Sequence, residues 1–130
     1  MAKLLFDSWA WLELFSRSPA GAKISEMAEK AEAVYTTTAN LYEVLYRIEK
    51  DAGIAKAEER KKFVEAHCII LDITKEIVLK ALEARREQKL SSIDSFTFAA
   101  AILQGADLVT GDPDFKGLKN VVYLGALKQA

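Results

Sequence analysis

The stretch Lys3-Leu4-Leu5-Phe6-Asp7-Ser8 gives the first indication of the fold. A short apolar run that stops at cap-type residues is typical of a buried strand, so Asp7 is expected at the strand's carboxyl end. Three later runs also favour strands. They are Cys68-Ile69-Ile70-Leu71-Asp72-Ile73, Leu108-Val109-Thr110 and Val121-Val122-Tyr123-Leu124.

Helical patterns separate these predicted strands. Apolar residues at helical spacing predict a helix from Trp9 to Phe15, and Ser18-Pro19 provides a cap and a first-turn proline for a second helix to about Val34. A third helix is predicted after the candidate caps Thr36, Thr37 and Thr38, and a fourth over Ala55–Ala66. A fifth follows Thr74 and carries Ile77, Val78, Ala81 and Leu82. The last extends from Ser91-Ser92 to Gly105, with Phe96, Ala99, Ala100 and Leu103 facing inward.

The alternation of strands and helices predicts the α/β class. Apolar strands joined by helices of this length favour a parallel sheet with right-handed crossovers and helices on both faces. The 130 residues, of which 51% are hydrophobic and 28% charged, predict a single domain over residues 1–130.

Composition also narrows the function classes. No apolar stretch is long enough for a membrane span or a signal-peptide core, and the lone Cys68 cannot form an internal disulfide, so a cytoplasmic protein is expected. One cysteine and one histidine do not make a zinc framework. The net charge of -1 indicates no nucleic-acid partner by itself, although cations bound to carboxylates can meet a phosphate.

Four acids are the candidate functional residues. Asp7 and Asp112 follow predicted strands, and the functional crevice of an open parallel sheet lies beyond the strands' carboxyl ends. Asp94 and Glu43 lie in the first turns of their helices and are expected at the same end. Because clustered carboxylates repel one another, the pattern favours a bound Mg²⁺ or Mn²⁺ ion and, with it, phosphodiester cleavage.

Each acid also has a structural interpretation that the sequence leaves open. Asp7 is a suitable N-cap, and Glu43 lies opposite the apolar stripe of its helix, as a solvated residue would. Ser91-Ser92-Ile93-Asp94 matches a capping box, and turn chemistry alone would select Asp112 in Gly-Asp-Pro-Asp.

Ordered motifs along nearly the whole chain resemble those of PIN domains. The matching segments are Leu4-Leu5-Phe6-Asp7-Ser8, Tyr42-Glu43, Ile93-Asp94 with Ala99-Ala100-Ala101, and Leu108-Val109-Thr110-Gly111-Asp112-Pro113-Asp114-Phe115. The block from Thr110 to Phe115 is the most specific of these. Compact single-domain chains like this one are similar to the VapC-type toxins of that family.

The resemblance implies a PIN-like three-layer α/β/α sandwich and a magnesium- or manganese-dependent ribonuclease acting on RNA. It implies a homodimer and a VapB-type antitoxin partner. The implied metal and catalytic residues are Asp7, Glu43, Asp94 and Asp112, with support from the hydroxyls of Ser8 and Thr110 and with Asp114 at the edge. Trp9 departs from the family, since many relatives have a small hydroxyl residue there.

Other residues have weaker claims. Basic residues near the predicted acids are candidate RNA contacts, although charge runs usually form a solvated face. They are Arg85, Arg86, Lys89 and Lys116. The aromatic residues Trp9, Trp11, Phe15 and Tyr46 would suit a dimer or antitoxin surface, but core positions are favoured for Trp11 and Phe15.

Two other functions remain open at this point. The first is an aspartyl phosphatase with Asp7 as nucleophile, against which Trp9 argues because it cannot act as a general acid. The second is a PIN-like scaffold or interaction protein that keeps the acids without cleaving RNA.

Overall fold

The strands and helices alternate along the chain in the computed structural model, which describes residues 2–127. The elements are β1 (Lys3–Phe6), α1 (Ser8–Ser16), α2 (Pro19–Lys30), β2 (Ala33–Thr37), α3 (Thr38–Ala52), α4 (Ile54–His67), β3 (Ile69–Leu71), α5 (Lys75–Gln88), α6 (Ser92–Gln104), β4 (Asp107–Thr110), a 3₁₀ turn (Pro113–Phe115) and β5 (Val121–Tyr123).

The strands form one parallel sheet in the order β3-β2-β1-β4-β5. Strand β1 lies at its centre, where Leu5 pairs with Tyr35 of β2 on one side and with Leu108 of β4 on the other. The predicted α/β class is therefore confirmed. Because the strands run in the same direction, their carboxyl ends share one edge of the sheet, here named the carboxyl edge.

Helices cover both faces of the sheet, which makes three layers. Leu4 and Phe6 of β1 pack in one core with residues of α1–α4, among them Trp11 and Val44. Leu5 points to the other face and packs in a second core with residues of α5 and α6. Alternate residues of a strand face opposite sides, so one short strand supports two cores.

Trp11 links three elements of the first core. Its Nε1–H donates to Thr36 Oγ1 at 3.1 Å, and the Thr36 hydroxyl donates to the Phe6 carbonyl at 2.7 Å. The Phe6 and Trp11 rings meet edge to face, with centroids 5.2 Å apart. These contacts attach α1 to β1 and β2 directly below the carboxyl edge, and they confirm the core position predicted for Trp11.

The second helix is shorter than the sequence indicates. It ends at Lys30 rather than near Val34, and Ala33–Thr37 forms strand β2, which was not predicted. Consecutive threonines are typical of helix caps as well as of strands. Because Thr36, Thr37 and Thr38 were interpreted as caps, strand β2 was not predicted. Thr37 serves both purposes, since it ends β2 and its Oγ1 accepts a hydrogen bond from the Asn40 amide at 3.1 Å.

Two other expectations need correction. The strand predicted over Cys68–Ile73 is limited to Ile69–Leu71, and it lies at the sheet edge with Ile69 exposed, because only β2 pairs with it. Leu103 of α6, which was expected to face inward, is 39% exposed. Val78 and Leu82 of α5 are also exposed.

Between residues 2 and 127, no helix combines the length and the hydropathy needed to cross a bilayer.

Close packing of α1 on α2 generates a stability prediction. A Cβ added at Gly21 would lie 2.1 Å from the Glu13 carbonyl oxygen, so Gly21→Ala should lower the free energy of unfolding by about 1–3 kcal/mol. Alanine ordinarily stabilises a helix relative to glycine, so the expected sign is reversed. Urea unfolding measures the change, with Ser25→Ala on the exposed face of α2 as control. Greater stability of Gly21→Ala would contradict the close approach.

Candidate active site

Asp7 stands directly after β1 and begins α1. Its Oδ1 accepts a hydrogen bond from the Ala10 amide at 2.9 Å, as an N-cap does. Its Oδ2 accepts one from the Thr110 hydroxyl, which lies at the end of the neighbouring strand β4. The side chain is only 7% exposed. The N-cap interpretation and the position at the carboxyl edge therefore both hold.

Thr110 joins Asp7 to the loop that follows β4. Its Oγ1 accepts a hydrogen bond from the Asp112 amide at 3.0 Å, so the hydroxyl proton is directed to Asp7. Asp112 in turn caps the 3₁₀ turn, because its Oδ1 accepts from the Asp114 amide at 2.9 Å. Phe115 is fully buried and fixes the end of this turn in the second core.

Asp94 reaches the same place from α6. It occupies the third position of that helix, and its amide donates to the Ser91 hydroxyl at 3.3 Å. Asp94, Asp112 and Asp114 each offer one carboxylate oxygen, and these oxygens all lie within 4.8 Å of one another. Asp114, expected only at the edge of the site, thus belongs to its closest group of acids.

Glu43 lies in the second turn of α3 and is partly buried. Its Oε1 accepts a hydrogen bond from the Ser8 hydroxyl at 3.1 Å, which connects α3 to the start of α1. Its charge also contributes to raising the pKa of Asp94, which indicates that Glu43 belongs to the same electrostatic environment. The structure thus brings together the four predicted acids, the two predicted hydroxyls and Asp114.

The site carries an unfavourable concentration of negative charge in the absence of a cation. The pKa of Asp7 is raised to about 7, chiefly by burial. The hydrogen bonds from Thr110 and Ala10 oppose this rise, and the charges of Asp94 and Asp112 add to it. Burial, followed by the charge of Asp112, raises the pKa of Asp94 to about 6. Both carboxyls are therefore poised to exchange a proton for a metal ion near neutral pH.

The donor set fits a hard divalent cation. Carboxylate oxygens are the ligands that Mg²⁺ and Mn²⁺ prefer. Asp112 is partly exposed and Asp114 is exposed, which leaves room for water and phosphate ligands. Asp94, Asp112 and Asp114 would hold such an ion most directly. Both oxygens of Asp7 already accept hydrogen bonds, so Asp7 would share one of them with the ion.

Trp9 forms one wall of the loop before Asp112. A Cβ added at Gly111 would lie 2.2 Å from the Trp9 ring, so only glycine permits this approach of the indole to the backbone. Trp9, where many relatives have a small hydroxyl residue, thus packs against the loop that carries Asp112.

Sequence reasoning missed Asn40, a polar residue that joins the helices carrying Glu43 and Asp94. Asn40 is only 1% exposed, and its Oδ1 accepts hydrogen bonds from Thr37 at 2.7 Å and from Thr97 of α6 at 3.2 Å. The signal for it is weak. A polar residue three positions before Glu43 resembles an ordinary first-turn residue until the two helices are placed side by side.

Among residues 2–127, none of the candidate RNA-contacting cations forms a salt bridge with an acid of the site. Arg85 donates to the Ser92 hydroxyl at 2.7 Å, which connects the end of α5 to the start of α6. Arg86 and Lys89 are exposed in the same region, and Lys116 Nζ lies 5.7 Å from the centroid of the Tyr123 ring. Their role toward RNA stays a prediction.

With this geometry in place, sequence comparison supplies the class. Residues 4–121 match the PIN domain, so the chain belongs to the PIN-domain family. No curated protein sequence matches significantly.

Solved structures share the fold of the whole chain. A toxin–antitoxin complex from Klebsiella pneumoniae contains a chain of 23% identity and TM-score 0.75, covering 92% of this chain and 95% of that one. A chain of Rickettsia felis VapBC2, solved with a DNA fragment from its promoter, has 16% identity and a TM-score of 0.74, and the match covers 94% of this chain and 97% of that one. Mycobacterium tuberculosis VapC20, a toxin that cleaves the sarcin–ricin loop, has 17% identity and a TM-score of 0.72, and the match covers 89% of this chain and 95% of that one. The three-layer fold is that of VapC toxins.

The raised pKa values generate a prediction for stability against pH. The folded metal-free chain binds a proton at Asp7 more tightly than the unfolded chain does, because the folded pKa is about 7 instead of the usual 3.8. The free energy of unfolding should therefore rise by about 2 kcal/mol as pH falls from 7.5 to 5. Urea unfolding in EDTA at several pH values measures it.

Variants isolate the contribution of Asp7. Asp7→Asn should flatten this part of the pH profile, whereas Asp72→Asn, at an exposed position after β3, should leave it unchanged. A metal-free parent chain that loses stability between pH 7.5 and 5 would contradict the electrostatic description of the site.

Proposed function

We propose that this chain is a magnesium- or manganese-dependent endoribonuclease, the toxin of a VapBC-type pair, built as a single PIN-like domain over residues 1–130. One observation carries the proposal. Three carboxylate oxygens, from Asp94, Asp112 and Asp114, lie within 4.8 Å of one another at the carboxyl edge, and Asp7 and Glu43 complete the acidic environment. Membership of the PIN-domain family supports a nuclease.

The structural relatives support RNA as substrate and an antitoxin as partner. VapC20 cleaves the sarcin–ricin loop, which is RNA, and other relatives of the same fold are crystallised as toxin–antitoxin or VapBC complexes. The proposal therefore includes a VapB-type antitoxin, a homodimeric toxin and a cytoplasmic location, as expected from the sequence. Because the net charge of the chain is -1, attraction of the RNA phosphates would come from a bound cation and from local basic residues.

The chain's own residues prepare the site for hydrolysis. Asp94, Asp112 and Asp114, with Asp7 and Glu43 alongside, would hold the cation. When bound, the cation supplies an activated water and neutralises charge on the phosphate. The Thr110 hydroxyl donates a hydrogen bond to Asp7 Oδ2 and accepts one from the Asp112 amide. It therefore fixes the acid that follows β1 relative to the acid in the loop after β4. Ser8 orients Glu43 in the same way.

The aspartyl phosphatase alternative fits the geometry poorly. A nucleophilic carboxylate needs an oxygen free to attack phosphorus. The Asp7 side chain is almost completely buried, and Trp9, two residues further on, cannot act as the general acid.

Cleavage of a mixed RNA pool with Mg²⁺ or Mn²⁺ tests the proposal. Asp94→Asn and Asp112→Asn should each lower the rate by on the order of a hundredfold or more, because each removes a charged ligand. The exposed Asp72→Asn variant should retain the parent rate. Equal rates in the parent chain and both site variants would reject the site, and absence of cleavage by the folded parent with either metal would favour the scaffold alternative.

Thr110 provides a second, separate prediction. Thr110→Val removes the hydroxyl that joins Asp7 to the Asp112 amide, so Mn²⁺ affinity should fall about tenfold while the fold is retained. Thr110→Ser should restore the affinity because it restores the hydroxyl. Isothermal titration with Mn²⁺ measures both. Unchanged affinity in Thr110→Val would show that the hydroxyl does not organise the metal ligands.

A further inference from the structure

A cleft of about 580 Å³ opens beside Glu43 and runs along α3 away from the carboxyl edge. Its lining consists of Ser8, Leu12, Tyr42, Glu43, Tyr46, Arg47, Lys50 and Asp51. We propose that this cleft binds an unpaired nucleobase of single-stranded RNA next to the bond to be cleaved, with the base stacked on Tyr42 and Tyr46. The inference rests on the proposed ribonuclease function and assigns it a substrate subsite.

Tyr42 and Tyr46 form an exposed aromatic platform. They lie one helical turn apart on α3, with ring centroids 6.2 Å apart and planes inclined by 18°. The two residues are 68% and 58% exposed, which is unusual for two adjacent large rings. Exposed aromatic faces bind unstacked bases without regard to their identity, because every base has a π-face.

The position of the platform connects it to the reaction. Tyr42 directly precedes Glu43, whose carboxylate is held by Ser8 at the mouth of the cleft. A base on the platform would therefore belong to a nucleotide adjacent to the phosphate at the acids. Bases within a duplex cannot reach such a surface, so the geometry selects single strands, loops or bulges.

The charged side chains of the cleft are two cations, Arg47 and Lys50, which can meet an RNA backbone, and two anions, Glu43 and Asp51. Arg47 and Lys50 follow the tyrosines on α3, and Arg47 is engaged only by Asp51 in an exposed pair of 2.9 Å among the described residues. An exposed pair of this kind is weak, so a phosphate can compete for the guanidinium. The centre of a protein interface is depleted in charged residues, whereas this cleft contains four.

RNA binding without cleavage provides the test. The Asp94→Asn chain is titrated in Mg²⁺ into a short single-stranded RNA that contains 2-aminopurine, whose fluorescence is quenched by stacking. Tyr42→Ala and Tyr46→Ala in this background should each weaken binding roughly tenfold and reduce the quenching. Tyr42→Phe and Tyr46→Phe keep the ring and should retain both signals. Leu79→Ala, at an exposed position on α5, is the control for loss of exposed apolar surface.

The outcomes separate this inference from the proposed function. If the Asp94→Asn chain binds RNA equally with and without the tyrosine rings, the subsite is wrong and the ribonuclease proposal stands. If neither it nor the parent chain binds or cleaves RNA, the proposed function fails first and the subsite fails with it. If the alanine variants retain RNA affinity but change the sedimentation coefficient, the tyrosines form a contact between protein chains and the subsite is overturned.

Discussion

Repulsion among carboxylates at one edge of a parallel sheet is the constraint on which the rest of this structure depends. Central strands β1 and β4 run side by side, with Phe6 opposite Val109. The next residue on each side is Asp7 after β1 and Thr110 at the end of β4, so these two side chains meet. Helices α3 and α6 bring Glu43 and Asp94 to the same edge, where burial, together with the charges of Asp112 and Glu43, raises the pKa of Asp94. A fold that gathers charge in this way is suited to binding a cation.

Local hydrogen bonds let the chain tolerate this arrangement. Asp7 caps α1, Asp112 caps a 3₁₀ turn, and Asp94 lies in the capped first turn of α6. Each acid therefore has a structural role that fixes its backbone, while its charge remains available to the site. From the sequence alone, a capping role and a role in the site are alternatives for each of these acids. In the folded chain the two roles are compatible, because the hydrogen bonds of the caps also position the acids at the site.

The sequence predicts the frame of this site better than its details. Apolar runs that end in acids identify β1 and β4, because burial on both faces leaves a clear pattern. Strand β2 escapes notice since its threonines also suit a helix cap. The proximity of Asp114 to Asp94 depends on a single turn, and the cleft beside Tyr42 depends on how α1 and α3 pack. Local sequence patterns do not contain such packing distances.

The position of the cation is the most direct test of the account. Crystals grown with Mn²⁺ and measured at the manganese absorption edge would locate the ion by its anomalous scattering. A cation held by these acids would give a peak within coordination distance of the carboxylates of Asp94 and Asp112, at the carboxyl edge of the sheet. A fully occupied peak elsewhere, with those carboxylates free of metal, would contradict it.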